Sequence, residues 1–133
     1  MREMKFRAKT IKKKRWVYGD LIHQDDIIKN EDEIGDRYCV KPDTVCQYTG
    51  LKDKNGVEIY EGDIVKDHYG RIMLVEYAEK FVKFRFKLLY TTGKTWTKNF
   101  LYADMYEWFF DEECPEVIGN KWDNPELLKE VEK

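Results

Sequence analysis

Residues Gln47–Val65 read "QYTGLKDKNGVEIYEGDIV", and the reading of this stretch decides how the rest of the chain is understood. It places Asp53, Asn55-Gly56, Glu58, Glu61, Gly62 and Asp63 within one short span. Either it is a loop that gathers carboxylates for a metal or a reaction, or it is two strands joined by a tight turn. The calcium reading fails on spacing. If Gly56 is the sixth residue of an EF-hand loop, Asp53 and Asn55 take the third and fifth places. Leu51 and Gly62 then stand at the first and twelfth, where side-chain ligands are required. The hairpin reading fits better. Asn-Gly is the pair that tolerates positive φ at both centres of a type I′ turn, with "LKDK" and "VEIY" as flanking strands. Gly62 then breaks the chain before a new strand, "DIVKD". Asn55, Gly56 and Gly62 are therefore predicted structural turn residues, and no metal ligand is assigned.

Strands are predicted outward on both sides. "EMKFRAK" alternates, with Met4, Phe6 and Ala8 on one face and Lys5, Arg7 and Lys9 on the other. "TIKKK" turns the chain, and "RWVYGDLI" resumes as a strand in which Gly19 marks a bulge or a close backbone approach. The acidic run Gln24–Gly35 is a loop, or a strand pair with a turn near Asn30. Pro42 separates "RYCV" from "DTVCQY". "RIMLVEY" and "KFVKFRFKLLY" follow, the latter with Phe84, Phe86 and Leu88 opposed to Lys83, Arg85 and Lys87. "TWTKNFLY" is a further strand, and "FLYADMYEWFF" fits helix or strand. "EVIGN" is a short strand, and Asn124-Pro125 opens a short C-terminal helix. The prediction is a mainly β, antiparallel, single domain spanning residues 1–133.

Composition supports this. The 133 residues include 20 aromatics, and flat or β-branched side chains fit a pleated surface. Hydrophobic content of 42% is too high for a disordered chain. A net charge of −2 gives no global attraction to nucleic acid or acidic membranes. The charge is segregated, however. Met1–Trp16 holds eight Lys/Arg and one Glu, whereas Asp104–Lys133 holds ten Asp/Glu and three Lys. The two ends can attract within one molecule or between copies. Three widely spaced cysteines, Cys39, Cys46 and Cys114, read as buried reduced thiols of a cytoplasmic protein. No apolar run approaches membrane-spanning length, so no membrane association is expected.

Glu58, Glu61 and Asp63 do not read as a catalytic set, because alternation along a strand sends neighbours to opposite faces. An enzyme would need His23 or His68 to converge on Glu58, Asp63 or Asp67 in the fold or at a subunit interface. No nucleotide-loop, nucleophile-elbow or zinc pattern is present, and no cofactor is assigned. The feature closest to a binding signature is "KFVKFRFK". A strand that alternates cations and rings can track a phosphate backbone and stack on bases. Lys83, Arg85 and Lys87, with Trp96 as a stacking ring and help from Lys12, Lys13, Lys14 and Arg15, are the candidate nucleic-acid contacts. Cations on a strand face also simply deter edge pairing.

Three segments together resemble one family. "QYTGLKDKNGVEIYEGDIV" is similar to the signature of the YopX family, whose members are typically encoded by phages and prophages of Gram-positive bacteria. "MREMKFRAKTIKKKRWVYGDL" resembles the family's opening, and "EVIGNKWDNPELL" its ending. Lys121-Trp122 departs from the ending, where an apolar residue and Tyr are usual, and Tyr77–Glu113 carries no family motif. The resemblance implies several coiled sheets with an SH3-like barrel, an N-terminal hairpin portion over 1–24, a core over about 45–120, and self-association. It implies no activity and no catalytic residues. The expected function is that of a non-enzymatic phage or prophage accessory protein in the host cytoplasm. It would be an oligomerising β module acting on a macromolecular partner, with nucleic-acid binding as the alternative.

Overall fold

The computed structural model describes residues 5–23, 26–29, 37–67, 70–92, 102–104 and 115–129. They fall into two compact units, residues 1–50 and 51–133. Strand is the dominant element of each.

In the first unit, β1 (Phe6–Lys9) pairs antiparallel with β2 (Trp16–His23), and Ala8 faces Val17 in the register. β3 (Asp26–Lys29) and β4 (Arg37–Cys39) extend the sheet; within the acidic run only Asp26–Lys29 is described, as strand, and its partner comes from "RYCV". β5 (Cys46–Lys52) lies on the other side of β1, giving the order β4-β3-β2-β1-β5. A 3-10 turn at Pro42–Thr44 separates β4 from β5, because proline has no N–H to give a continuing ladder. Ala8, Val17 and Val40 are buried together, with Phe6, Leu21, Tyr38 and Val45 packed around them.

Three expectations need correction here. The alternation of β1 does not separate an apolar from an exposed face at Arg7, which is buried with its guanidinium 4.6 Å from the Trp16 ring centroid. Of the two readings of Gly19 the bulge is not found there: Gly19 pairs in register with Phe6 and Lys29, and the irregularity lies between Leu21 and His23. Cys46 is buried, and its thiol donates to the Thr44 carbonyl at 3.0 Å, but Cys39 is exposed.

In the second unit, the end of β5 is followed by β6 (Glu58–Tyr60). A five-stranded antiparallel sheet runs β10-β9-β8-β7-β11. Its members are β7 (Asp63–Lys66), β8 (Arg71–Ala78), β9 (Lys83–Thr91), β10 (Tyr102–Asp104) and β11 (Glu116–Asn120). Both strand orders are open from edge to edge among the described residues, and neither closes on itself. Ile59, Val65, Met73, Val75, Phe84 and Phe86 form the core, so the alternation in "KFRFK" directs its rings inward. Each such ring adds about 1.5–3 kcal/mol of burial, far more than an exposed stacking position would return to the isolated fold.

The ambiguous segment "FLYADMYEWFF" contains strand at Tyr102–Asp104, and its remaining residues lie outside those described. The expected C-terminal helix is only a 3-10 turn, Pro125–Leu128. Asn124 does not cap it. Its Oδ1 instead accepts from the Asn120 N–H at 3.2 Å, folding the segment back onto β11.

Candidate functional site

The carboxylates of the central stretch are already occupied. Asp53 Oδ1 accepts the N–H groups of Asn55 and Val57 at 2.8 and 2.9 Å, and Oδ2 accepts that of Val117 at 2.9 Å. The Asp53 carbonyl takes the Gly56 N–H at 3.0 Å, and Gly56 has φ +81°. Asn55 is not in positive φ, so the expected type I′ turn is replaced by a turn that closes on a single left-handed glycine. The physical reason is Asp53, whose side chain holds Asn55 and Val57 by their N–H groups in an Asx-type arrangement. Replacing Asp53 by Ala is expected to cost about 2–3 kcal/mol in urea unfolding, since charge-assisted bonds to three N–H groups are lost together. A change within experimental error would show that water replaces all three.

The same arrangement recurs at Asp67-x-x-Gly70. The Asp67 carbonyl accepts the Gly70 N–H, and Asp67 Oδ1 accepts that of Arg71 at 2.9 Å. Oδ2 also takes Arg71 Nε at 2.7 Å, with both side chains almost fully buried. Asp63 is buried and accepts the Tyr60 N–H at 2.8 Å, while Glu58 accepts the Tyr60 hydroxyl at 3.2 Å. Carboxylates held by backbone N–H groups in this way orient the backbone of the turns. No group of three His, Cys, Asp or Glu suited to a metal ion occurs among the described residues. His68 and the side chain of His23 lie outside them, and with them the convergence an enzyme would need.

β9 places Lys83, Arg85 and Lys87 on its outer face, half-buried. Arg85 pairs across the sheet with Glu76, and its Nε donates to Glu76 Oε1 at 2.7 Å. Its guanidinium also lies 3.6 Å from the Tyr102 ring centroid. The central cation of the predicted nucleic-acid strand thus has both a counter-charge and a stacked ring inside its own sheet. Trp96 lies outside the described residues. A shallow cavity of about 220 Å³ sits beside this face, lined by Phe81, Lys83, Arg85, Tyr102 and Ala103.

The hairpin tip between β8 and β9 is less expected. Phe81 is 58% and Val82 75% exposed, and the Lys80 and Lys83 ammonium groups each lie 5.9 Å from the Phe81 ring centroid. Val82 is in left-handed backbone, φ 51°, ψ 48°. A β-branched residue there is an outlier, because its Cβ crowds the following carbonyl.

The model of the YopX family, described as YopX protein, matches residues 5–129. The chain belongs to the YopX family. Among solved structures, this YopX-family chain is similar to the crystal structure of protein EF1440 from Enterococcus faecalis, with 25% sequence identity and a TM-score of 0.53. The match covers 97% of this chain and 100% of that one. A comparison with curated proteins gives no match.

The family's three motif segments map onto distinct parts of the YopX-family fold. The opening is β1, its turn and β2; the signature is β5 to β7; the ending is β11 with the 3-10 turn. The tip at Phe81–Val82 and the Tyr102–Arg85 stack fall between them, where sequence reasoning had no motif to follow. The repeated Asp-x-x-Gly at 53–56 and 67–70 was the available signal for the second turn.

Proposed function

We propose that this YopX-family chain is a non-enzymatic accessory protein of phage or prophage origin. It works in the host cytoplasm by holding a macromolecular partner, in the first place copies of itself. The observation that carries this reading is the Phe81–Val82 tip. Folding leaves an aromatic and a β-branched residue in water, one of them in costly backbone, so the tip gains only when something covers it. Covering what the two side chains still expose would contribute roughly 2–4 kcal/mol. The basic opening and acidic ending of the chain supply opposite charges for a neighbouring copy. We assign the SH3-like part of the fold to the meander β7-β8-β9 with β11 alongside β7. Binding rather than catalysis is favoured because Asp53, Asp63 and Asp67 are engaged by backbone N–H groups.

Multi-angle light scattering over a concentration series in low salt tests this. The wild-type chain should elute above monomer mass. Phe81→Ser combined with Val82→Gly should shift it toward monomer without lowering the melting temperature, because glycine relieves about 1–2 kcal/mol of left-handed strain. A wild-type monomer at the highest concentration in low salt would sink the reading.

A further inference from the structure

We infer that the basic turn of the first unit is a binding site for single-stranded nucleic acid, with one nucleotide unit seated in its pocket. The turn between β1 and β2 carries Ile11, Lys12, Lys13, Lys14 and Arg15, all exposed. With Tyr38 and Cys39 it borders a cavity of about 420 Å³. That volume lies in the range of small-molecule sites. Inorganic phosphate alone would leave most of it empty, so the occupant has an anionic part and a bulkier one.

The chemistry of the walls says what each part is. Lys12 and Lys13 line the cavity, and among the described residues neither they nor Lys14 has a carboxylate partner. This separates them from Arg85, which Glu76 neutralises. The lining also holds exposed Ile11 and the Arg15 guanidinium, which lies 5.3 Å from the Tyr38 ring centroid. An arginine plate, a tyrosine ring and an aliphatic side chain form the kind of surface on which a base stacks. An acidic peptide would answer the lysines and leave the Arg15–Tyr38 pair and Ile11 unused.

The turn is also fixed in advance. Thr10 N–H donates to the Arg15 carbonyl at 2.9 Å, Lys14 N–H to the Thr10 carbonyl at 3.1 Å, and Ile11 N–H to the Cys39 carbonyl at 3.1 Å. Lys14 takes left-handed backbone, φ 50°, to close it. A backbone held at both ends loses little freedom on binding, which favours a site over a loosely charged loop.

Fluorescence anisotropy of a labelled oligothymidylate, titrated with the full chain across a salt series, tests the inference. Lys12→Glu with Lys13→Glu should weaken binding at least about tenfold and flatten the log–log salt slope by about 1.4, two phosphate contacts on a single strand. An abasic strand of equal length should bind about tenfold or more weakly, because it offers phosphate without a ring. Lys83→Glu with Arg85→Glu should bind as wild type does. Tyr38 packs against the core, so its contact is read instead through Cys39 in a Cys114→Ser background. Alkylation of Cys39 should be slowed by oligothymidylate and not by the abasic strand. Free thymidine monophosphate protecting Cys39 as well as the oligonucleotide would assign the site to a mononucleotide and overturn the single-strand form. Equal affinity for the abasic strand, undiminished binding by the turn variant, loss of binding in the β9 variant, or preference for an acidic peptide or anionic vesicles would each overturn it. Measurement in the Phe81→Ser, Val82→Gly background keeps the result independent of self-association.

Discussion

Asp67→Ala is expected to lower unfolding stability by about 3–5 kcal/mol, the usual consequence of removing one partner of a buried ion pair. Asp67 holds Arg71 twice, through the backbone N–H and through Nε at 2.7 Å, with side-chain exposures of 0% and 5%. Its removal deletes the brace of the β7–β8 turn and takes from Arg71 its buried counter-charge. The two effects separate in a double-mutant cycle with Arg71→Leu. Once Arg71 is leucine, the loss of Asp67 should cost at most the turn, about 1–2 kcal/mol, because it also removes a carboxylate left buried without its counter-charge. Denaturant unfolding with an unchanged m-value provides the measurement. Equal losses in both backgrounds would mean that the ion pair adds nothing beyond the backbone bond.

Gly62→Val should be nearly as damaging, at about 3–5 kcal/mol, while Gly56→Val should cost only about 1–2 kcal/mol. Both glycines have positive φ, +88° and +81°, so the backbone penalty is shared. Their surroundings differ. A Cβ on Gly56 meets nothing within 4 Å, whereas one on Gly62 runs into the Trp122 ring. The Gly62 N–H also donates to the Val75 carbonyl at 2.8 Å, and its carbonyl accepts from Lys121 N–H at 3.0 Å, so the backbone cannot move aside. Thermal and denaturant unfolding of the two variants, side by side, provide the comparison. Trp122→Ala should bring the two valine substitutions closer together. If they already cost the same with Trp122 in place, its packing over Gly62 is not a constraint.

The turns behind these predictions differ in how far the sequence foretells them. Asn55-Gly56 announces a turn between two strands, and a turn is there. Its type differs from the type I′ turn that Asn-Gly favours, because an aspartate two residues before Asn55 outweighs that intrinsic preference. Its carboxylate fixes the N–H groups that a type I′ turn would direct elsewhere. The alternation in "KFRFK" announces its buried rings, because a period of two against a hydrophobic core leaves no other register. It could not announce that Glu76 and Tyr102 would engage Arg85, since those partners come from neighbouring strands. Similarly, "TIKKKR" reads as a basic turn, but its pocket exists only because Tyr38 and Cys39 return beside it through the bridge of Thr10 to Val40.

The sequence by itself determined the antiparallel β class, the positions of most strands, the turn glycines and the YopX membership. All of these follow from local periodicity, local backbone preference and contiguous motifs. Only the tertiary structure decided which charges are neutralised and which remain available. It made Asp53, Asp63 and Asp67 internal braces, placed Trp122 over Gly62, and left Phe81, Val82 and the Lys12–Arg15 turn facing outward. Charge pairing and burial depend on which residues from distant strands meet. In an antiparallel sheet those meetings are set by register across the ladder, which no short stretch of chain contains.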